Sequence, residues 1–231
     1  MTTLNPRTQT DDLPSASPAS LLGFLLAAAA GAGIAVLVLP AYLPGLSVSL
    51  TGESPKAYWF LSRTTGFVAF GLLWLSMVFG LLMTGKLAQQ WPGQLVAFEL
   101  HNFVSVLALA FAAFHALVLL GDRYINYTLE QLLVPFGSQN YRPFEVGLGQ
   151  LAFYVGLVVT ATFYVRRIIS QRAWRLIHYL SFGVFLIALW HGVRSGTDST
   201  STLAQTLYWV AGGSVLFLCT YRLLSRWVNK P

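Results

Sequence analysis

An all-α integral membrane protein, built as a six transmembrane helix bundle, is the fold that the sequence predicts. Three observations predict it. Of 231 residues, 55% are hydrophobic and only 10% are charged, against about 25% charged in an ordinary soluble domain. Six apolar stretches each reach the roughly 20 residues needed to cross the hydrocarbon core of a bilayer. The single cysteine, Cys219, has no partner for a disulfide scaffold. The same composition excludes a conventional water-soluble enzyme and a disordered chain, which combines low hydrophobicity with high net charge. A net charge of +6 and a pI near 9.7 fit arginines and lysines in cytoplasmic loops better than a nucleic-acid surface, so no nucleic-acid partner is expected.

Residues 1–19 form a polar N-terminal tail, and its Asp11 and Asp12 stand where a signal peptide would carry a basic region. The first span, about 20–44, is therefore read as a retained helix; it carries no charge and ends near Pro40 and Pro44, which cannot continue a helical ladder. The remaining spans are about 57–84, 95–121, 147–169, 172–195 and 203–225, so that one membrane domain covers 20–225 and 226–231 form a C-terminal tail. One connection, 122–146, is much longer than the others, and long loops are commonly functional. Its Tyr124, Tyr127, Tyr141 and the apolar run Leu132–Phe136 suit a lid lying in the membrane interface, with a partly ordered surface loop as the alternative. No internal repeat is expected outside the alanine-glycine stretch of the first span.

Orientation follows from the basic residues. The tails and the 2–3 and 4–5 connections hold nine (Arg7, Lys86, Arg166, Arg167, Arg172, Arg175, Arg222, Arg226, Lys230), and the opposite side five (Lys56, Arg63, Arg123, Arg142, Arg194). The positive-inside rule then puts both termini in the cytoplasm of a multi-pass protein of the plasma (inner) membrane.

All four histidines lie in two spans: His101 and His115 in 95–121, His178 and His191 in 172–195. Ionisable groups inside a membrane are usually functional, although a histidine taken singly is satisfied by a neighbouring carbonyl or hydroxyl. Both spans run outward, which puts His101 and His178 near the cytoplasmic end and His115 and His191 about 20 Å further out. Two histidine pairs facing each other at two depths describe two stacked bis-histidine haem sites, with iron held by imidazole. Zinc or copper would gather three or four ligands in one place, and Met77 and Met83 fit core packing better than axial ligation. Without a Cys-x-x-Cys-His motif the haem is non-covalent, of b type. Arg63, about six residues inside the outer end of its span, is assigned to the outer haem propionates or to an anionic species arriving there, with snorkelling to the headgroups as the alternative. Arg175, just before His178, is assigned to the inner haem, and anchoring at the membrane surface explains it almost as well. The thirteen-residue step from His178 to His191 leaves them about 140° apart on an ideal helix, so a bend near Gly183 or two different haem edges is expected.

These residues resemble the ferric reductase-like transmembrane domain family, the membrane part shared by ferric reductases and NADPH oxidases. The resemblance covers most of 57–198 and rests on the doubled histidine spacing, on Ser62-Arg63-Thr64-Thr65-Gly66, Leu133–Phe136, Trp174–Leu180 and His191–Asp198. It implies His101 and His178 as metal ligands of the cytoplasmic-side haem, His115 and His191 as those of the outer one, and an oxidoreductase haem subunit working in electron transport. Ferric reductases and NADPH oxidases continue into a flavin and nicotinamide domain, whereas this chain has no Gly-x-Gly-x-x-Gly motif with a βαβ unit. A separate cytoplasmic flavoprotein donor docking on the basic 4–5 turn is therefore expected, as in the haem subunit of the periplasmic methionine sulfoxide reductase system. The outer-face acceptor is left open among ferric iron, dioxygen, a periplasmic protein and quinone. The alternatives are a quinol-oxidising cytochrome and a non-redox membrane scaffold retaining the fold.

Overall fold

The computed structural model describes residues 56–139 and 141–228, together with scattered positions between 19 and 42. Most of the expected first span, and all but Ala19 of the polar N-terminal tail, lie outside the described residues. Within them the helices are α1 (Ala57–Thr84), α2 (Gln94–Leu117), the short α3 (Leu129–Leu133), α4 (Pro143–Tyr164), α5 (Gln171–Ser195) and α6 (Thr202–Val228). Among the described residues, five helices are long and apolar enough to cross a membrane, and the protein is a multi-pass membrane protein.

Their ends follow local chemistry. Pro143 opens α4 four residues before the expected start, because its missing N–H and fixed φ suit the first helical position. That helix ends at Tyr164, ahead of the arginine-rich turn, and Ser170 caps α5 by accepting from Ala173 N at 3.4 Å. The last helix runs on to Val228, into the segment expected to be a tail, since no glycine or proline lies between Ser225 and Val228 to stop it. A short 3-10 turn over Val118–Gly121 closes the C-terminal end of α2.

Polar backbone is satisfied inside each helix, so packing rather than hydrogen bonding chooses the neighbours. Helices α1, α5 and α6 meet in a core of Phe70, Met77, Leu81, Phe185, Ala211 and Val215, which gives Met77 the packing role expected of it. Trp74 Nε1 donates to Ser214 Oγ at 2.8 Å across this contact. The outward faces carry exposed apolar side chains such as Phe103, Leu176 and Trp209, the pattern of a surface solvated by lipid.

The long connection is built rather than loose. Buried Asp122 accepts from the backbone N–H groups of Tyr124 (2.8 Å) and Ile125 (3.0 Å), the side-chain turn that aspartate favours. A capping box between Thr128 and Gln131 starts α3. Gln150 of α4 then holds the segment from below: its amide donates to the carbonyls of Gln131 (2.8 Å) and Leu132 (2.7 Å) and accepts from Phe136 N (3.2 Å). Tyr154 adds a hydroxyl to Leu133 O at 2.6 Å.

Candidate functional site

One continuous cavity of about 820 Å³ runs between α1, α2, α4 and α5, and all four histidines line it. That volume lies within the roughly 300–1,000 Å³ usual for cofactor sites. The rings lie in two facing pairs, one between His101 and His178 with centroids 6.1 Å apart and planes at 74°, the other between His115 and His191 at 6.2 Å and 79°.

Three of the four rings are mounted in the same way. His115 Nδ1 donates to Ser62 O at 2.7 Å, His101 Nδ1 to Ser76 O at 2.9 Å, and His191 Nδ1 to Glu145 O at 2.8 Å. In each case the residue four positions after the accepting carbonyl is glycine: Gly66, Gly80 and Gly149. A Cβ there would stand 2.9 Å from His115 Nδ1, 3.4 Å from His101 Cε1 and 2.7 Å from His191 Nδ1. The absent side chain is what lets the His115 and His191 rings reach the helix backbone, whereas at Gly80 a Cβ would meet His101 only at ordinary contact distance.

On α1 the serines and the glycines recur at a fourteen-residue interval, matching the interval between His101 and His115 on the antiparallel α2. Hydroxyls reinforce the two mounts: Ser62 Oγ donates to His115 O at 3.1 Å, and Ser76 Oγ meets Ser105 Oγ at 2.6 Å. This recurrence is the one repetition that sequence reasoning missed. The signal, Ser-x-x-x-Gly twice at the histidine spacing, was present but gains meaning only from the antiparallel pairing of α1 with α2.

Satisfaction by a backbone carbonyl and presentation to a metal had stood as rival roles for these histidines, and the imidazole can serve both. A carbonyl only accepts, so Nδ1 carries the proton and Nε2 keeps its lone pair for a ligand. The angular problem of α5 is met without a break, since the helix runs uninterrupted through Gly183. Its two histidines use different supports, His191 resting on α4 and His178 lying over Trp174, with ring centroids 5.2 Å apart.

The cavity's two ends differ. Near His115 and His191, Arg63 is ion-paired with Asp198, a partner that sequence reasoning did not assign. Its Nε remains buried without an acceptor. Near His101 and His178 the lining includes Arg175, Arg222 and Trp174, and the Trp174 indole N–H is also buried without an acceptor. Arg222 is a second missed residue, nearly fifty positions from Arg175 in the sequence. The connecting segment covers part of the cavity through Ile125, Tyr127, Gln131 and Leu132, and Tyr141 ties it to α5 by donating to Ser195 O at 2.8 Å.

A metal bound by two opposed imidazoles places the ring centroids about 6.4 Å apart, given metal–nitrogen bonds of about 2.0–2.1 Å. Both observed separations are close to this. Among the described residues no group of three or more histidine, cysteine, aspartate and glutamate side chains converges on one point. The donor chemistry, the glycine-cleared mounts and the orphaned donors at both ends all fit a haem-type group in each half of the cavity.

No curated protein and no solved structure matches this chain. A family profile described as "Ferric reductase like transmembrane component" matches residues 65–189, more than half of the chain, including His101, His115 and His178 and ending two residues short of His191. With five apolar helices around a histidine-lined cavity and that match, the chain belongs to the ferric reductase-like transmembrane component family.

Proposed function

We propose that this protein is a dihaem b-type cytochrome that carries single electrons across the membrane, from a cytoplasmic donor to an acceptor on the outer face. The observation that carries this is the pair of facing imidazoles repeated twice along one cavity, at 6.1 and 6.2 Å. Family membership supplies the coarser frame: an oxidoreductase-type membrane component concerned with transmembrane electron transfer, in a family that generally binds haem. His101 and His178 would hold the inner haem, and His115 and His191 the outer one. Haem iron so ligated supplies reversible one-electron chemistry.

The rest of the work falls to this chain. Carbonyl-bound Nδ1–H groups fix three imidazoles in the ligating tautomer and raise their basicity. Arg175 would neutralise carboxylates at the inner end. Arg63, already paired with Asp198, would offer its free Nε–H to an outer carboxylate or an incoming anion. The connecting segment 122–146 would exclude water from the outer pair, as an ordered lid. A single membrane domain over 20–225, in the plasma membrane with both termini cytoplasmic, turns the basic 4–5 turn towards a separate flavoprotein donor. Ferric iron, dioxygen or a periplasmic protein would take the electron outside.

A reduced-minus-oxidised spectrum with pyridine haemochrome quantification should give two b haems per chain, and finding none would sink the proposal. His115→Leu should remove one haem and leave the other; loss of both would contradict two separate layers. Reduction by NADPH with a soluble flavin reductase, set against reduction by a quinol, separates the two donor classes.

A further inference from the structure

Three histidines share one mount and the fourth does not. The α4 clamp that holds His191 uses Glu145 O and Gly149. Moved along by the fourteen residues that separate the two clamps of α1, the same device would fall on Val159 and Phe163, close to His178. A phenylalanine stands there where the other three sites have glycine. No hydrogen bond to His178 is present among the described residues, although its ring lines the cavity opposite His101.

What His178 has instead is an aromatic support. Trp174, four residues earlier on α5 and so on the same helix face, stacks on it with 5.2 Å between centroids and 27° between planes. Trp174 leans in turn on Phe163 at 6.4 Å, and Phe163 carries the Arg166 guanidinium over its ring at 4.0 Å. The phenylalanine at the position where the other three sites have glycine therefore buttresses the stack under His178.

We propose that Trp174 is the positioning residue for His178, orienting its ring by stacking where the other three are oriented by a carbonyl. The His101–His178 pair is then the one with two unlike ligands. A hydrogen bond from Nδ1 raises ligand basicity; His101 has it and His178 does not. The inference rests on the dihaem proposal, and it concerns one of the two sites only.

The test uses the full chain in detergent or nanodiscs, with Trp174→Phe and Trp174→Leu compared by haem count, two-step potentiometric titration and low-spin electron paramagnetic resonance. Trp174→Phe keeps a flat ring but loses the indole N–H, and should retain two haems and both resonance signals, with a smaller shift of the one affected midpoint than Trp174→Leu produces. Trp174→Leu should shift one midpoint and one signal, or lose one haem of the two, while the other stays as in the wild type. Trp174→Met, similarly unable to stack, replaces it if the leucine variant does not accumulate. The proposal is overturned if both steps move together, if neither moves, or if Phe behaves as Leu does. A wild-type protein without haem would overturn the dihaem proposal and this one with it, and that result is visible before any variant is made.

Discussion

Each clamped imidazole commits one nitrogen to a backbone carbonyl and keeps the other, and for His115 and His191 a missing Cβ makes this possible. Adding that atom should therefore be costly in a way that helix propensity alone would not suggest. Gly66→Ala and Gly149→Ala would press a methyl to 2.9 and 2.7 Å from a ring nitrogen; each is expected to destabilise the protein by about 1–3 kcal/mol, as overpacking does. Gly71→Ala and Gly183→Ala meet nothing within 4 Å and should be neutral or stabilising by up to about 1 kcal/mol. Thermal unfolding of the four variants in one detergent decides the matter. If all four behave alike, the glycines are not there to clear a path for the rings.

At the scale of elements, the segment between α2 and α4 depends on one amide. Gln150→Leu removes two donations and one acceptance, each worth about 1 kcal/mol net, and leaves the carbonyls of Gln131 and Leu132 without that partner. Faster hydrogen exchange across residues 129–138, with the spans themselves unaffected, is the expected result. Tyr127 in the same segment is held neutral above its ordinary range, chiefly by burial, with Ser138 beside it acting in the opposite sense. With its folded pKa raised, its contribution to stability is complete below about pH 10 and is lost as pH climbs through the folded value. Ultraviolet titration should show Tyr127 ionising late and with loosening of the segment, as the part of the late absorbance change that Tyr127→Phe removes.

How much of this was legible depends on what kind of group acts. The five spans among the described residues were readable to within about five residues because a window of apolar side chains is itself the signal, and α1 falls on 57–84 as expected. The histidine layers were readable because histidine in a span is rare. The clamps were not, because their acceptors are main-chain carbonyls, which no residue letter encodes. The small helix α3 had a readable start in Thr128-x-x-Gln131, overlooked because five residues are too few for a periodic pattern. Asp198 as the partner of Arg63 needed the path of the chain after α5.

For the whole molecule, that ion pair ties the beginning of α1 to the connection between α5 and α6. Removing the acid leaves a cation near the membrane without its partner, which is worse than removing both charges. Asp198→Ala should lower the thermal midpoint, and Arg63→Met combined with Asp198→Ala should recover part of the loss. A double variant no better than additive would show that the two side chains do not support each other.

Both serine-glycine mounts of α1 serve histidines of α2, and they share one interval. Sliding α1 by a single turn, about 5.4 Å, would take both carbonyls away from both rings at once. Apolar ridges alone would tolerate such a slip, since one turn of leucines packs much like the next. The doubled clamp thus acts as a two-pin key that allows this hairpin one register, so that the helices which set the depth of one histidine layer cannot avoid setting the other.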